Sequence, residues 1–117
     1  MLDSNKVKTL YPFMFTEKEK DSKRFEMAWE SARKAAEILK TNFKAKRVFV
    51  FGSLVKPDYF DNNSDIDLAV EGIDEALFYK ALGKIISNID TFKIDLVDYD
   101  NCSDVLLKAI NREGVEL

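Results

Sequence analysis

The stretch Asp65-Ile66-Asp67-Leu68-Ala69-Val70 alternates acidic or small residues with aliphatic ones without a break. Successive side chains on a strand point to opposite faces, so Ile66, Leu68 and Val70 share one face and Asp65, Asp67 and Ala69 the other. Such a strand needs a sheet that is buried on one side and tolerates two neighbouring carboxylates on the other. Left alone, two anions that close repel, and one is driven to take up a proton. A hard divalent cation relieves the conflict, and Mg2+ prefers oxygen ligands. Asp-x-Asp by itself is common in solvated loops; here the aliphatic face fixes the pair on a strand.

Around this strand the chain reads as short elements. Thr16 and Glu19 form a capping-box pattern that opens a helix over 16–43. Phe25, Ala28, Trp29, Ala32, Ala36, Leu39 and Phe43 recur there at steps of three and four and make one apolar stripe. Val48-Phe49-Val50-Phe51 reads as a strand buried on both faces and stopped by Gly52. Residues 54–64, with Pro57 and the Asp61-Asn62-Asn63-Ser64 cluster, predict a helical turn and then a loop. Gly72 ends the acidic strand.

Ile73 to Ser87 reads as a second amphipathic helix with Leu77, Phe78, Ala81, Leu82 and Ile85 on its buried side. Phe92 to Val97 reads as a third strand, with Ile94 and Leu96 facing one way and Lys93, Asp95 and Val97 the other. Ser103 is placed to cap a last helix holding Val105, Leu106, Ala109 and Ile110, closed by Gly114. Tyr59 and Tyr79 are assigned to packing. Residues 1–15 fit no regular element, and their apolar Tyr11–Phe15 patch is expected to pack on the core or on a partner. With 117 residues, one domain over 1–117 is expected.

Composition removes whole classes of chemistry. There is no histidine, so imidazole bases, Ser-His and Cys-His nucleophilic sites and the usual zinc sites cannot be assembled. A single cysteine, Cys102, excludes an internal disulfide. No apolar run approaches the roughly 18–20 residues of a membrane span, and no secretory leader is evident, so a cytoplasmic location without membrane attachment is expected. The net charge of −3 is split: residues 1–56 carry 13 Lys/Arg against 7 Asp/Glu, and residues 57–117 carry 5 against 14. The acidic half would repel bare nucleic acid but suits divalent cations. The basic cluster Lys40, Lys44, Lys46 and Arg47 reads as a solvated helix end.

Two further features join the acidic pair. Gly52-Ser53 directly follows a buried strand, where glycine lets backbone approach a ligand and the turn offers free N–H groups to phosphate oxygens. The dipeptide alone reads first as a strand-ending turn. Asp95 lies among Phe92, Ile94, Leu96 and Val97, a costly setting for a carboxylate unless it is paired or metal-bound. If the third strand lies beside the second, Asp95 joins Asp65 and Asp67. Three carboxylates beside a phosphate cradle are the parts of a two-metal phosphoryl-transfer site. Asp98 and Asp100 are read as solvated loop residues.

Phe51-Gly52-Ser53, then Ser64-Asp65-Ile66-Asp67-Leu68-Ala69-Val70, then Ile94-Asp95-Leu96-Val97 resembles the minimal nucleotidyltransferases of the DNA polymerase β superfamily. The resemblance spans about 45–115. It implies an α+β palm, a small mixed sheet packed against helices, here preceded by the long amphipathic helix. It implies that Asp65, Asp67 and Asp95 are the catalytic and metal residues for two Mg2+ ions, with Gly52 and Ser53 holding the phosphates of ATP. Ser64, also a nucleotide-binding candidate, is expected to brace the carboxylate strand by hydrogen bonding, with strand entry or a ligand contact as its other roles. The chain departs from the pattern in having eleven residues between Ser53 and Asp65, and in Leu54-Val55-Lys56-Pro57 where an Arg- and Gly-containing stretch is frequent. Lys56 is then the candidate phosphate-contacting cation.

The short chain leaves no room for an acceptor-binding domain. Minimal members are similar in this, and are typically encoded with a small helical HEPN protein that resembles a ribonuclease toxin. The resemblance therefore implies an antitoxin that transfers AMP from ATP to a tyrosine of that partner. Two alternatives stay open: a binding-only antitoxin that masks its partner, and a nucleotidyltransferase acting on a small molecule such as an antibiotic. Self-association is left open.

Overall fold

The structure, a computed structural model, describes residues 17–117, with side chains from residue 22 onward. The Thr16 cap and the irregular segment 1–15 lie outside the described residues. Helix α1 runs over Glu17–Phe43. Lys44 then turns the chain in the left-handed region (φ 56°), and the Ala45 N–H closes on the Leu39 carbonyl at 3.1 Å. Strands β1 (Arg47–Phe51) and β2 (Ile66–Glu71) pair antiparallel, from Arg47 opposite Glu71 to Phe51 opposite Asp67. Strand β3 (Ile94–Asp98) lies parallel to β2 on its other side, with Asp95 opposite Asp67. Parallel neighbours need a crossover, and helix α2 (Phe78–Asn88) supplies it. Helix α3 (Asp104–Glu113) leads to a two-residue strand β4 (Val115–Glu116) on β1, giving the order β3-β2-β1-β4.

Alternation along the strands decides which side each helix covers. Val48, Val50, Ile66, Leu68 and Val70 join Ala28, Ala32, Ala35 and Leu39 of α1 and Ala81 and Ile85 of α2 in the larger core. The alanines let α1 lie close to the sheet. Truncating Leu39 or Leu68, both fully buried, to alanine is expected to cost about 2–5 kcal/mol. The opposite side holds a smaller core of Phe49, Phe51, Ala69 and Ile110 under α3. The architecture is the expected α+β one, a mixed sheet with a long N-terminal helix. Among the described residues no helix is long and apolar enough to cross a membrane.

Several local expectations are corrected. The second helix begins at Phe78, not Ile73, because the Asp74 carboxylate accepts from the Ala76 N–H at 2.9 Å and starts a separate 3-10 turn over Glu75–Leu77. Leu77 is therefore exposed and off the buried side. Tyr59 and Tyr79 do not pack in the core: 73% and 81% of their surfaces are exposed. β4 was not foreseen. The Ser103 cap is as expected, its hydroxyl accepting from the Leu106 N–H at 3.2 Å. Gly72 ends β2 with φ +81°, and its N–H donates to the Asp100 carboxylate at 3.0 Å. Asp98 is only partly solvated; it accepts from the Asp100 N–H and the Asn101 side chain, so this acidic pair shapes a turn.

Candidate active site

Where β1 and β2 end together, Phe51 faces Asp67 across the ladder and Gly52 follows immediately. Gly52 takes φ +75°, the left-handed region that side chains disfavour. A Cβ there would stand 2.4 Å from Asp67 Oδ2 and 3.3 Å from its Cγ. Glycine is thus required twice, once for the turn and once so that the carboxylate can lie against the backbone. A 3-10 turn over Gly52–Val55 begins here, and the first N–H groups of such a turn have no partner within it. Leu54 is fully buried and anchors the turn to the larger core. Ser53 is half-buried, and its hydroxyl makes no hydrogen bond among the described residues.

Asp67 is half-buried on the α3 side of the sheet. Burial, then the charge of Asp95, then that of Asp65 push its pKa up to about 6. Among the described residues no cation pairs with it. Asp95 holds the neighbouring register position on β3 and is exposed. Asp65 stands just before β2, with Oδ2 3.8 Å from Lys93 Nζ. Sequence reasoning put Lys93 on the Asp95 face without giving it a role; the two-residue spacing was the available signal. The expected trio is thus brought together as neighbours. It is not a closed cage: among the described residues, no three acidic side chains could share one ion as they stand. Oxygen donors, a half-buried Asp67 that no cation pairs with and its seat on a bare glycine nevertheless fit a divalent cation.

The other candidates fall differently. Lys56 Nζ lies 2.8 Å from Glu113 Oε2, so this lysine ties the turn to the end of α3. The pair holds the Glu113 carboxyl below its ordinary range, chiefly through the hydrogen bond. Ser64 does not brace the carboxylate strand. Its hydroxyl accepts from the Asp61 N–H at 2.9 Å, is within 3.2 Å of Asp61 Oδ1, and so pins the loop. Arg24 of α1 donates to the Asn62 carbonyl at 3.3 Å and lies over the Phe92 ring, holding that loop from the other side of the sheet.

Four residues along β2 from Asp67, on the same face, sits a second carboxylate. Glu71 is 7% exposed and stands directly across from Arg47. Arg47 grips it with Nε at 3.1 Å and with a second, close contact from Nη2, while Lys46 lies 3.9 Å away. The hydrogen bond from Arg47 leads the effects that hold Glu71 below its ordinary pKa. Arg47 also lies over the stacked rings of Phe49 and Tyr99.

A family model described as polymerase beta nucleotidyltransferase matches residues 33–117. The chain belongs to the polymerase β nucleotidyltransferase family. It is accordingly a nucleotidyltransferase, and the sheet with its adjoining helices is that family's fold. No curated protein matches the chain. Among solved structures, a toxin–antitoxin complex with AMP-PNP is similar at 29% identity over 73% of this chain and 70% of that one, with a TM-score of 0.61. An MntA toxin–antitoxin mutant, in which two aspartates two positions apart are glutamates, is similar at 27% identity, 73% and 70% coverage and a TM-score of 0.60. A tri-AMPylated HEPN toxin of Shewanella oneidensis in complex with an MNT antitoxin is similar at 26% identity, 76% and 70% coverage and a TM-score of 0.56. With these relatives the nucleotidyltransferase family supplies both the reaction class and a nucleotide triphosphate analogue bound to a similar protein.

Proposed function

We propose that this nucleotidyltransferase transfers AMP from ATP to a protein hydroxyl, a tyrosine of a co-encoded helical HEPN-type partner, and acts as that partner's antitoxin. One observation carries the chemistry: Asp67 is half-buried against Gly52 beside two further acids with no cation on it. A carboxylate kept in that condition is suited to a metal-nucleotide substrate. The partner and the acceptor follow from similarity to the AMPylated toxin complex.

Asp65 and Asp67 would hold Mg2+, with Asp95 completing the set. Bound there, Mg2+ supplies charge neutralisation on the phosphate oxygens and makes the acceptor hydroxyl easier to deprotonate. The backbone amides of the Gly52–Val55 turn and the Ser53 hydroxyl orient the triphosphate, so that the α-phosphorus faces the acceptor. Asp95, the most accessible of the three acids, takes the proton as the acceptor oxygen attacks. The bond to the α-phosphorus forms, the α–β anhydride bond breaks, and pyrophosphate leaves in line.

The test is incubation with α-labelled ATP, Mg2+ and the co-encoded neighbour, with mass spectrometry of the neighbour. Label on a tyrosine is the expected result. A stable complex that never carries label replaces catalysis by masking, and label on a small molecule alone removes the protein acceptor.

A further inference from the structure

Strand β3 is the last strand of the sheet on its side, so among the described residues its outer edge has no partner. Next to that edge the first turn of α2 and the loop into α3 enclose an open groove of about 280 Å3. Phe78, Tyr79, Val97 and Cys102 give it apolar walls, while Glu75 and Asp98 stand on its rim. No lysine or arginine lines it. Tyr79, at 81% exposure, is a large aromatic left in water on this rim, and Val105, exposed to the same degree, lies three residues beyond Cys102. Val97 is two positions from Asp95 on β3 and shares its face, which puts the groove about 7 Å along the strand from the catalytic acid.

We propose that this groove and the free edge of β3 are the docking site for the acceptor: an extended segment of the partner protein, apolar with basic residues beside it. An extended chain can complete the unpaired edge by main-chain hydrogen bonds while alternate side chains enter the groove. The acidic rim selects a basic flank and disfavours a second copy of this edge, which carries the same Asp95 and Asp98. A segment aligned this way delivers a side-chain hydroxyl to Asp95. The docking site rests on the acceptor being a protein, as proposed above.

The test separates docking from chemistry. Glu75→Lys and Tyr79→Ala alter exposed residues outside the proposed catalytic set, so the fold is retained. Binding of the co-encoded partner is measured calorimetrically with the Asp65→Asn/Asp67→Asn chain, with and without each groove substitution. Partner affinity is expected to fall about tenfold for each, more steeply at low salt for Glu75→Lys. In the active chain the KM for the partner should rise by a similar factor with the KM for ATP unchanged. Unaltered affinity in both variants overturns the docking site even if transfer itself is observed. A photo-crosslinking residue at position 79 should capture the partner segment next to the modified hydroxyl. Capture of this chain's own residues 1–16, or of a second copy, overturns it as well.

Discussion

Asp67 and Glu71 lie on one strand, on one face, four residues apart, and the fold treats them in opposite ways. Glu71 has a bidentate arginine directly across the ladder and a lysine nearby, and its proton affinity is lowered. Asp67 has another carboxylate at the neighbouring register position, a glycine against its oxygen and a proton affinity raised to about 6. The contrast teaches that the sheet can neutralise a carboxylate on this face and does so where structure is at stake. Leaving Asp67 without a counter-ion costs stability, and such a cost persists where a substrate or ion is to be met.

The contrast breaks most visibly in turnover. Asp67→Asn should reduce AMP transfer by about a thousandfold or more, whereas Glu71→Gln, which weakens the Arg47 grip, should leave kcat within a few-fold. Initial rates with saturating ATP and partner decide this; equal losses would erase the functional distinction between the two ends of β2. Gly52→Ala should be intermediate. Its Cβ meets Asp67 Oδ2 at 2.4 Å in a left-handed backbone, so we expect a loss of about 1–3 kcal/mol in chemical denaturation. Transfer should fall with it, because the carboxylate is pushed off its seat.

The smallest effect, and the one that sharpens the contrast, is on stability against pH. The folded state holds the Asp67 proton more tightly than the unfolded chain, so stability declines as pH rises from about 4 through about 6. Asp67→Asn removes that decline. At pH 7 it should be more stable than the parent by about 1–2 kcal/mol, after allowing for solvent on the open side. Glu71 has the opposite sign. Its contribution is present above the ordinary carboxylate pKa and is lost as pH falls through its lowered folded value, so Glu71→Gln should destabilise at pH 7 and converge with the parent in acid. Denaturation midpoints at pH 4 and pH 7 read both; parallel curves would remove the electrostatic account.

Much of this was legible because alternation is a local signal. Ile66 to Val70 announced a two-faced strand, Val48 to Phe51 a buried one, and Asp95 takes the register position beside Asp67 once β3 is set beside β2. What escaped was long-range or too short to have a period. Val115-Glu116 is two residues long, and only pairing with β1 makes it a strand. Lys56 reads as a free cation until the fold carries Glu113 to it. Ser64 looks like a strand brace until its hydroxyl is seen closing on Asp61. Asp74 was missed for another reason: the apolar stripe of α2 extends back to Ile73, and a competing local hydrogen bond to Ala76 interrupts the helix there.

The burial of Leu54 carries one more consequence. Because Leu54, in the middle of the Gly52–Val55 turn, is fully buried in the larger core, this segment cannot swing as a flap without drawing an aliphatic side chain out of the interior, so it opens at a higher cost than an exposed loop. The adjoining stretch from Asp58 to Asn63 keeps only Phe60 in the interior and is held instead by polar contacts, from Ser64 to Asp61 and from Arg24 to Asn62. Greasy anchoring fixes one side of the mouth and hydrogen bonding the other.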